Sequence, residues 1–236
     1  MIIPRLSAER GFADHGWLRA RHSFSFADYH DPAEMGWGAL RVINEDRVAP
    51  GTGFGRHGHR DMEIVTYILS GALEHQDSLG HGGIIRRGEV QRMTAGKGIL
   101  HSEFNPSPDE ETHLLQIWIE PARRGTAASY EQQALAVDSM RGHWHLVASP
   151  DGAEGSTTIG QDARLYASVL AAGESLAYTL AAGRLAYLHV VRGQVVLNGL
   201  ALAAGDAAKI ADERELEFLA GEEAEFLLFD LPPLAA

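Results

Sequence analysis

The chain has 236 residues, 45% hydrophobic and 22% charged, with no cysteine and a net charge of −12. That length admits one large domain or two of ordinary size with a real core. The acidity rises from 15 basic against 19 acidic residues up to Arg141 to 5 against 13 beyond it, which argues against direct nucleic-acid binding. The absence of cysteine excludes disulfides, thiolate ligands and a Cys nucleophile. No stretch approaches about 18 consecutive apolar residues, so no membrane span is expected. The start, Met1-Ile2-Ile3-Pro4-Arg5-Leu6, lacks the apolar run of a signal peptide, and a cytoplasmic location is the expectation.

In chain order, turn signals such as Gly51-Thr52-Gly53, Ser70-Gly71, Gly82-Gly83 and Gly96-Lys97-Gly98 separate short β-type runs. Ile64-Val65-Thr66-Tyr67-Ile68-Leu69 and Leu114-Leu115-Gln116-Ile117-Trp118-Ile119 are two of them. Many short strands with regular turns predict a sandwich or barrel. The stretch Thr126 to Met140, around Tyr130-Glu131-Gln132-Gln133-Ala134-Leu135, is rich in helix formers and reads as a short helix or ordered linker. The same strand and turn rhythm resumes with Tyr187-Leu188-His189-Val190-Val191. Gly205-Asp206-Ala207-Ala208-Lys209-Ile210 echoes Gly88-Glu89-Val90-Gln91-Arg92-Met93, which suggests two copies of one β-barrel unit. The expected division is an N-terminal barrel over residues 1–125, a linker over 126–141 and a C-terminal barrel over 142–236.

Two segments carry the chemistry: Arg56-His57-Gly58-His59 and His101-Ser102-Glu103. In a strand, residues i and i+2 share a face. Two such strands side by side would aim three imidazoles and one carboxylate into one space. That donor set suits iron, copper, nickel, manganese, cobalt or zinc. Gly51, His57, His59, Glu63 and Gly71 follow the spacing of the first cupin motif, and Gly88, Gly96, Gly98, His101 and Asn105 that of the second, with Thr94 where proline is usual. The glycines would set the turns and register of the ligand strands. Spacing leaves the carboxylate open. Glu63 shares parity with His57 and His59, and Glu103 with His101.

Thr94-Ala95-Gly96-Lys97-Gly98-Ile99-Leu100-His101-Ser102-Glu103-Phe104-Asn105 resembles the signature of the pirin family, a two-barrel branch of the cupins. The resemblance extends to His22-Ser23-Phe24-Ser25-Phe26, Gly38 to Asp46, Asp77-Ser78-Leu79-Gly80 and Tyr130-Glu131-Gln132. It is close in the N-terminal half and looser beyond. It implies an all-β bicupin with a short helical linker and a metal held by His57, His59, His101 and Glu103, with Glu63 a structural acid. Bacterial members include quercetinases, so it further implies Fe(II) or another divalent transition metal and a flavonol-like substrate. The reaction would be a dioxygenase opening of the heterocycle by O₂ with loss of CO, Glu103 acting as general base. Relatives in nucleated cells imply an alternative, a metal-dependent redox switch that binds protein partners. A sugar-binding or isomerase cupin is a third reading, carried by fold alone.

The remaining histidines read differently. His75 and His81 flank a turn and are expected in solvent. His113 is expected to be packed and hydrogen-bonded. His22 is placed at the interface between barrels, and His143 and His145 at a strand edge. The C-terminal barrel lacks the motif histidines and is expected to hold no metal. Phe54, Met93, Ile99, Leu100 and Phe104 are the expected apolar pocket wall. Asp212 to Glu217 alternates charged and apolar residues, as a solvated strand face would.

Overall fold

The computed structural model describes residues 1–233. Residues 234–236, the end of the expected second unit, lie outside them. The fold is all-β, two cupin-type barrels each built from a seven-stranded and a four-stranded sheet. In the first barrel the large sheet runs Ser129–Ala134, Glu89–Thr94, Glu63–Ser70, Thr112–Ile119, Leu40–Val48, Leu18–His22, Gly11–Asp14. The small sheet runs Gly53–His59, Ile99–Phe104, Ala72–Asp77, Gly82–Arg86. The second barrel repeats the pattern. Its large sheet is ordered Ile2–Arg5, Ala207–Ile210, Leu185–Arg192, Ala224–Leu231, Arg164–Leu170, His145–Ser149, Thr157–Thr158. Its small sheet is ordered Ser175–Thr179, Glu215–Ala220, Gln194–Leu197, Leu200–Ala203. The Gly205 to Ile210 echo of Gly88 to Met93 thus marks corresponding strands. Among the described residues, no helix is long and apolar enough to cross a membrane.

Two strands lie across the expected boundaries. Ile2–Arg5 pairs with Ala207–Ile210 at the edge of the second barrel. Ser129–Ala134, expected as helix or linker, pairs with Glu89–Thr94 at the edge of the first. Only the single 3₁₀ turn Val137–Met140 is helical in that segment. Helix propensity is a weak prior against an open ladder that needs partners. The side chains show the two-residue period of a strand. Glu131 accepts from Arg92, whereas Tyr130 stacks on His75 at 4.8 Å and Gln132 donates to the Ile84 carbonyl.

The two large sheets pack back to back. Ile43, Val65, Tyr67, Leu115 and Ile117 of the first meet Leu165, Val169, Tyr187, Leu227 and Phe229 of the second in one buried cluster. Alternation sends the intervening residues into the barrel interiors. In the second barrel these are apolar, including Leu188, Val190, Phe226 and Leu228, and they pack on Val195, Leu197, Leu216 and Phe218 of its small sheet. In the first barrel the corresponding inner face carries Asn44, Asp46, Thr66, Gln91 and Gln116, all but Gln116 buried. Polar groups tolerated in an interior need partners there, and this difference prepares the site.

Glu225 clasps the barrels together. Its carboxylate is 1% exposed. It accepts from Tyr67 Oη at 2.7 Å, from Arg192 at 2.7 Å and from Arg87. Burial by itself would raise its pKa, but the hydrogen bonds from Arg87 and Tyr67 and the charges of Arg87 and Arg192 outweigh it and lower the net value. The resulting stabilisation is therefore present above the ordinary glutamate pKa and lost as pH falls through the folded-state value. Glu225→Gln is expected to cost about 3 kcal/mol near neutrality. The penalty should shrink on acidification, as the parent also protonates. Urea unfolding across pH checks this, and a penalty independent of pH would refute the charge-based account.

Candidate metal centre

The first barrel brings the motif histidines together. Gly53–His59 and Ile99–Phe104 are antiparallel neighbours with His101 opposite His57 and Ile99 opposite His59. The strands approach so closely that a Cβ on Gly53 would collide with the backbone of Glu103 and Phe104, so glycine is required there. The register shifts between His101 and Glu103. Gly55 and Arg56 there oppose Ser102 alone, a bulge of the kind that re-aims side chains beside sites.

The three imidazoles meet through their Nε2 atoms. His101 Nε2 lies 2.8 Å from His59 Nε2 and 3.0 Å from His57 Nε2. A metal–nitrogen bond of about 2.1 Å with donors at right angles separates nitrogens by about 3 Å, so the spacing fits a shared divalent ion. His57 Nδ1 faces the Gly55 carbonyl at 2.8 Å, which places its proton on Nδ1 and leaves Nε2 as a lone pair. Burial, reinforced by neighbouring imidazoles, lowers His101 to about 2 and His59 to about 4. Both rings are thus neutral, the form that binds metals. Converging lone pairs repel until a cation sits among them.

Glu103 stands on the same strand face. It is buried, and its Oε2 accepts from Gln116 Nε2 at 3.0 Å. Among the described residues, no hydrogen bond reaches its Oε1, nor Oδ1 of buried Asp46 nearby on the inner face. Burial raises Glu103 to about 7 despite the hydrogen bonds it receives. Burial, with the Glu103 charge next, raises Asp46 to about 7. A buried carboxylate oxygen lacking a donor is the group a metal cation satisfies. Glu103 Oε1 lies 4.0 Å from His101 Nδ1, on the side of that ring away from the Nε2 cluster.

Glu63 is elsewhere. Its carboxylate accepts from Thr94 Oγ1 at 2.7 Å and joins neither group of three metal-capable side chains among the described residues. Parity carries over only through an unbroken strand, but the chain leaves the strand after His59 and turns with Asp61 at φ 49° before Glu63 begins the next. The phase is lost there, and Glu63 faces the crevice between barrels beside Arg92 and Gln161.

His75 departs from the exposed position expected for it. It is fully buried, not in solvent. Its strand pairs His75 with Glu103 and Asp77 with His101, so the pattern His75-Gln76-Asp77 was a signal of the same period-two kind. His75 Nδ1 lies 3.5 Å from His101 Nδ1, and its Nε2 lies 3.3 Å from Asp77 Oδ2. Asp77 can hold the His75 proton on Nε2, which leaves Nδ1 to accept from His101 Nδ1–H and turns the His101 Nε2 lone pair toward the cluster. His81, as expected, is exposed and reaches Asp77 at 3.1 Å. His113, packed as expected, bonds Glu45 at 2.9 Å. His145 bonds Ser139.

A cavity of about 900 Å³ opens onto the cluster. Its wall includes Phe12, Trp17, Phe26, Tyr29, Phe54 and Trp118, with His22, Asn44, Asp46 and Gln116 as polar points. His22 thus lines the cavity rather than the barrel interface, because it pairs with Asn44 on the inner face. Of the expected wall residues only Phe54 takes part. Met93 and Ile99 belong to a separate buried cluster. Leu100 and Phe104, adjacent to ligand-face residues, point outward with 44% and 39% exposure.

The chain is similar to known proteins along nearly its whole length. Residues 5–119 match the Pirin family model, and residues 146–231 match the Quercetinase C-terminal cupin domain. The chain is 47% identical over 232 residues to a pirin-like protein of Caulobacter vibrioides, covering 98% of this chain and 99% of that one. The chain belongs to the pirin family. Another relative of this pirin, a quercetin 2,3-dioxygenase of Escherichia coli K12, is 47% identical over 99% of this chain and all of the relative. The crystal structure of the bacterial pirin YhhW from Escherichia coli in complex with nickel(II) superposes with a TM-score of 0.95 at 47% identity, covering 99% of this chain and all of the other.

In this pirin, His75→Phe keeps an aromatic ring but removes the contact that orients His101. It should weaken metal binding about 10–100-fold with little loss of fold, measured by competition with a chelator. Unchanged affinity would show that His75 only packs.

Proposed function

We propose that this chain is a metal-dependent dioxygenase of the quercetinase type. It takes a flavonol and O₂, opens the heterocycle and releases CO. One observation carries the reading: three imidazoles converging through Nε2, with the buried carboxylate of Glu103, whose Oε1 lacks a donor, beside a large aromatic cavity. The name and 47% identity of the Escherichia coli relative support it.

His57, His59, His101 and Glu103 would hold the metal. Fe(II) is our first assignment, although the donor set equally suits nickel, copper, manganese, cobalt or zinc. When bound, the ion supplies Lewis acidity that lowers the pKa of a coordinated hydroxyl and brings the reactants together. The chain supplies the rest. The cavity's volume suits a small aromatic ligand. Trp118 meets His59 edge-on at 4.9 Å and Phe26 at 5.3 Å, forming an apolar wall for flat rings. Gln116 fixes one oxygen of Glu103, and the other retains an acceptor site for the substrate hydroxyl proton. The aromatic lining limits water around the ring to be opened.

Protein loaded separately with Fe(II), Ni(II), Cu(II), Mn(II) or Co(II) should bleach quercetin absorbance under air with at least one metal. Glu103→Gln should retain the fold and lose turnover by at least about 100-fold, the scale of a general base. Absence of turnover across the metal series would sink the enzymatic reading. An active Glu103→Gln protein at normal metal loading would remove Glu103 as base.

A further inference from the structure

A second crevice, of about 480 Å³, lies between the barrels. It is lined from the first barrel by Arg21, Arg47 and Arg87 and from the second by Arg192, with Glu45 and His113 at its wall. Glu45 and His113 share strands with Asn44 and Gln116 but have the opposite parity, so the crevice lies across the large sheet from the imidazole cluster.

Its charge runs against the rest of the molecule. The chain carries −12, yet guanidiniums outnumber carboxylates here. Arg87 and Arg192 share the single carboxylate Glu225. Arg19 and Arg47 share Glu111. Glu45 is held by Arg10 at 2.7 Å and by His113. Arg21 hydrogen-bonds the Ser7 carbonyl rather than an acid. Asp206, beside Gly205, accepts backbone N–H groups of Ser7 and Ala203. Four arginines and the single carboxylate of Glu45 line the crevice itself, and Arg47 and Arg192 remain about half exposed. Each shared carboxylate leaves guanidinium N–H groups free for another acceptor, because one guanidinium has five.

We infer that this crevice binds a small molecule bearing phosphate groups. Guanidinium forks match phosphate oxygens in pairs, and the enclosed volume admits a metabolite rather than a nucleic-acid duplex. The site is independent of the metal reading, since it shares no residue with the imidazole cluster.

Pyrophosphate titrated into the full chain, followed by calorimetry, should show one saturable site and raise Tm. The Arg47→Ala/Arg192→Ala protein should bind at least about tenfold more weakly, the scale of one charge-assisted hydrogen bond. Arg21→Gln, which leaves both shared carboxylates paired, should weaken binding as well. Arg214→Ala, an exposed change elsewhere, should have no effect. His57→Ala should bind pyrophosphate like the parent, which separates this crevice from capture by a metal in the other barrel. No saturation up to about 1 mM, equal binding by the arginine variants, loss of binding in His57→Ala, or tighter binding of citrate than pyrophosphate would each overturn the assignment.

Discussion

The Nε2 atoms of His57 and His59, both within 3.0 Å of that of His101, impose the strictest constraint in this molecule. Imidazole nitrogens crowded this closely are unfavourable alone, so the surrounding structure must hold them in place. Strand register sets His101 opposite His57. A backbone carbonyl orients the ring of His57, and the Asp77–His75 pair orients that of His101. Burial keeps the rings of His59 and His101 unprotonated. An energy deficit that a divalent ion relieves is what makes a barrel interior into a metal-binding site.

The second barrel shows the same scaffold without that constraint. Its strands Ser175–Thr179 and Glu215–Ala220 occupy the positions of the histidine-bearing pair. Leu216 and Phe218 turn inward where His101 and Glu103 would stand, and Trp144 meets Phe218 at 5.2 Å. Apolar side chains fill the interior and need no partner. The two barrels are tied by their large sheets, by the Glu225 clasp, and by edge strands drawn from across the expected boundaries. An edge strand that closes a sheet also protects it from unwanted pairing.

Much of the site was legible because it obeys one local rule. His57, His59, His101 and Glu103 alternate along strands, and alternation is visible in sequence. Where the backbone left the strand, legibility failed. Glu63 lost its phase at the Asp61 turn. Leu100 and Phe104 were wrongly placed in the pocket wall because they neighbour ligand-face residues and so face outward. The cavity wall drew on Phe12, Trp17, Phe26 and Tyr29, which are remote in sequence from the motifs. Ser129–Ala134 has helix-forming composition, but an open sheet edge claimed it.

From the order of residues alone came the β class, the duplication and the four metal-capable side chains, because strand periodicity and turn glycines act over a few neighbours. Folding in three dimensions decided the rest. It set Glu103 beside His75 and His101, the contact between His75 and His101, and the place where four arginines gather between the barrels. Those outcomes depend on register, bulges and sheet packing between distant segments, and no local pattern encodes them.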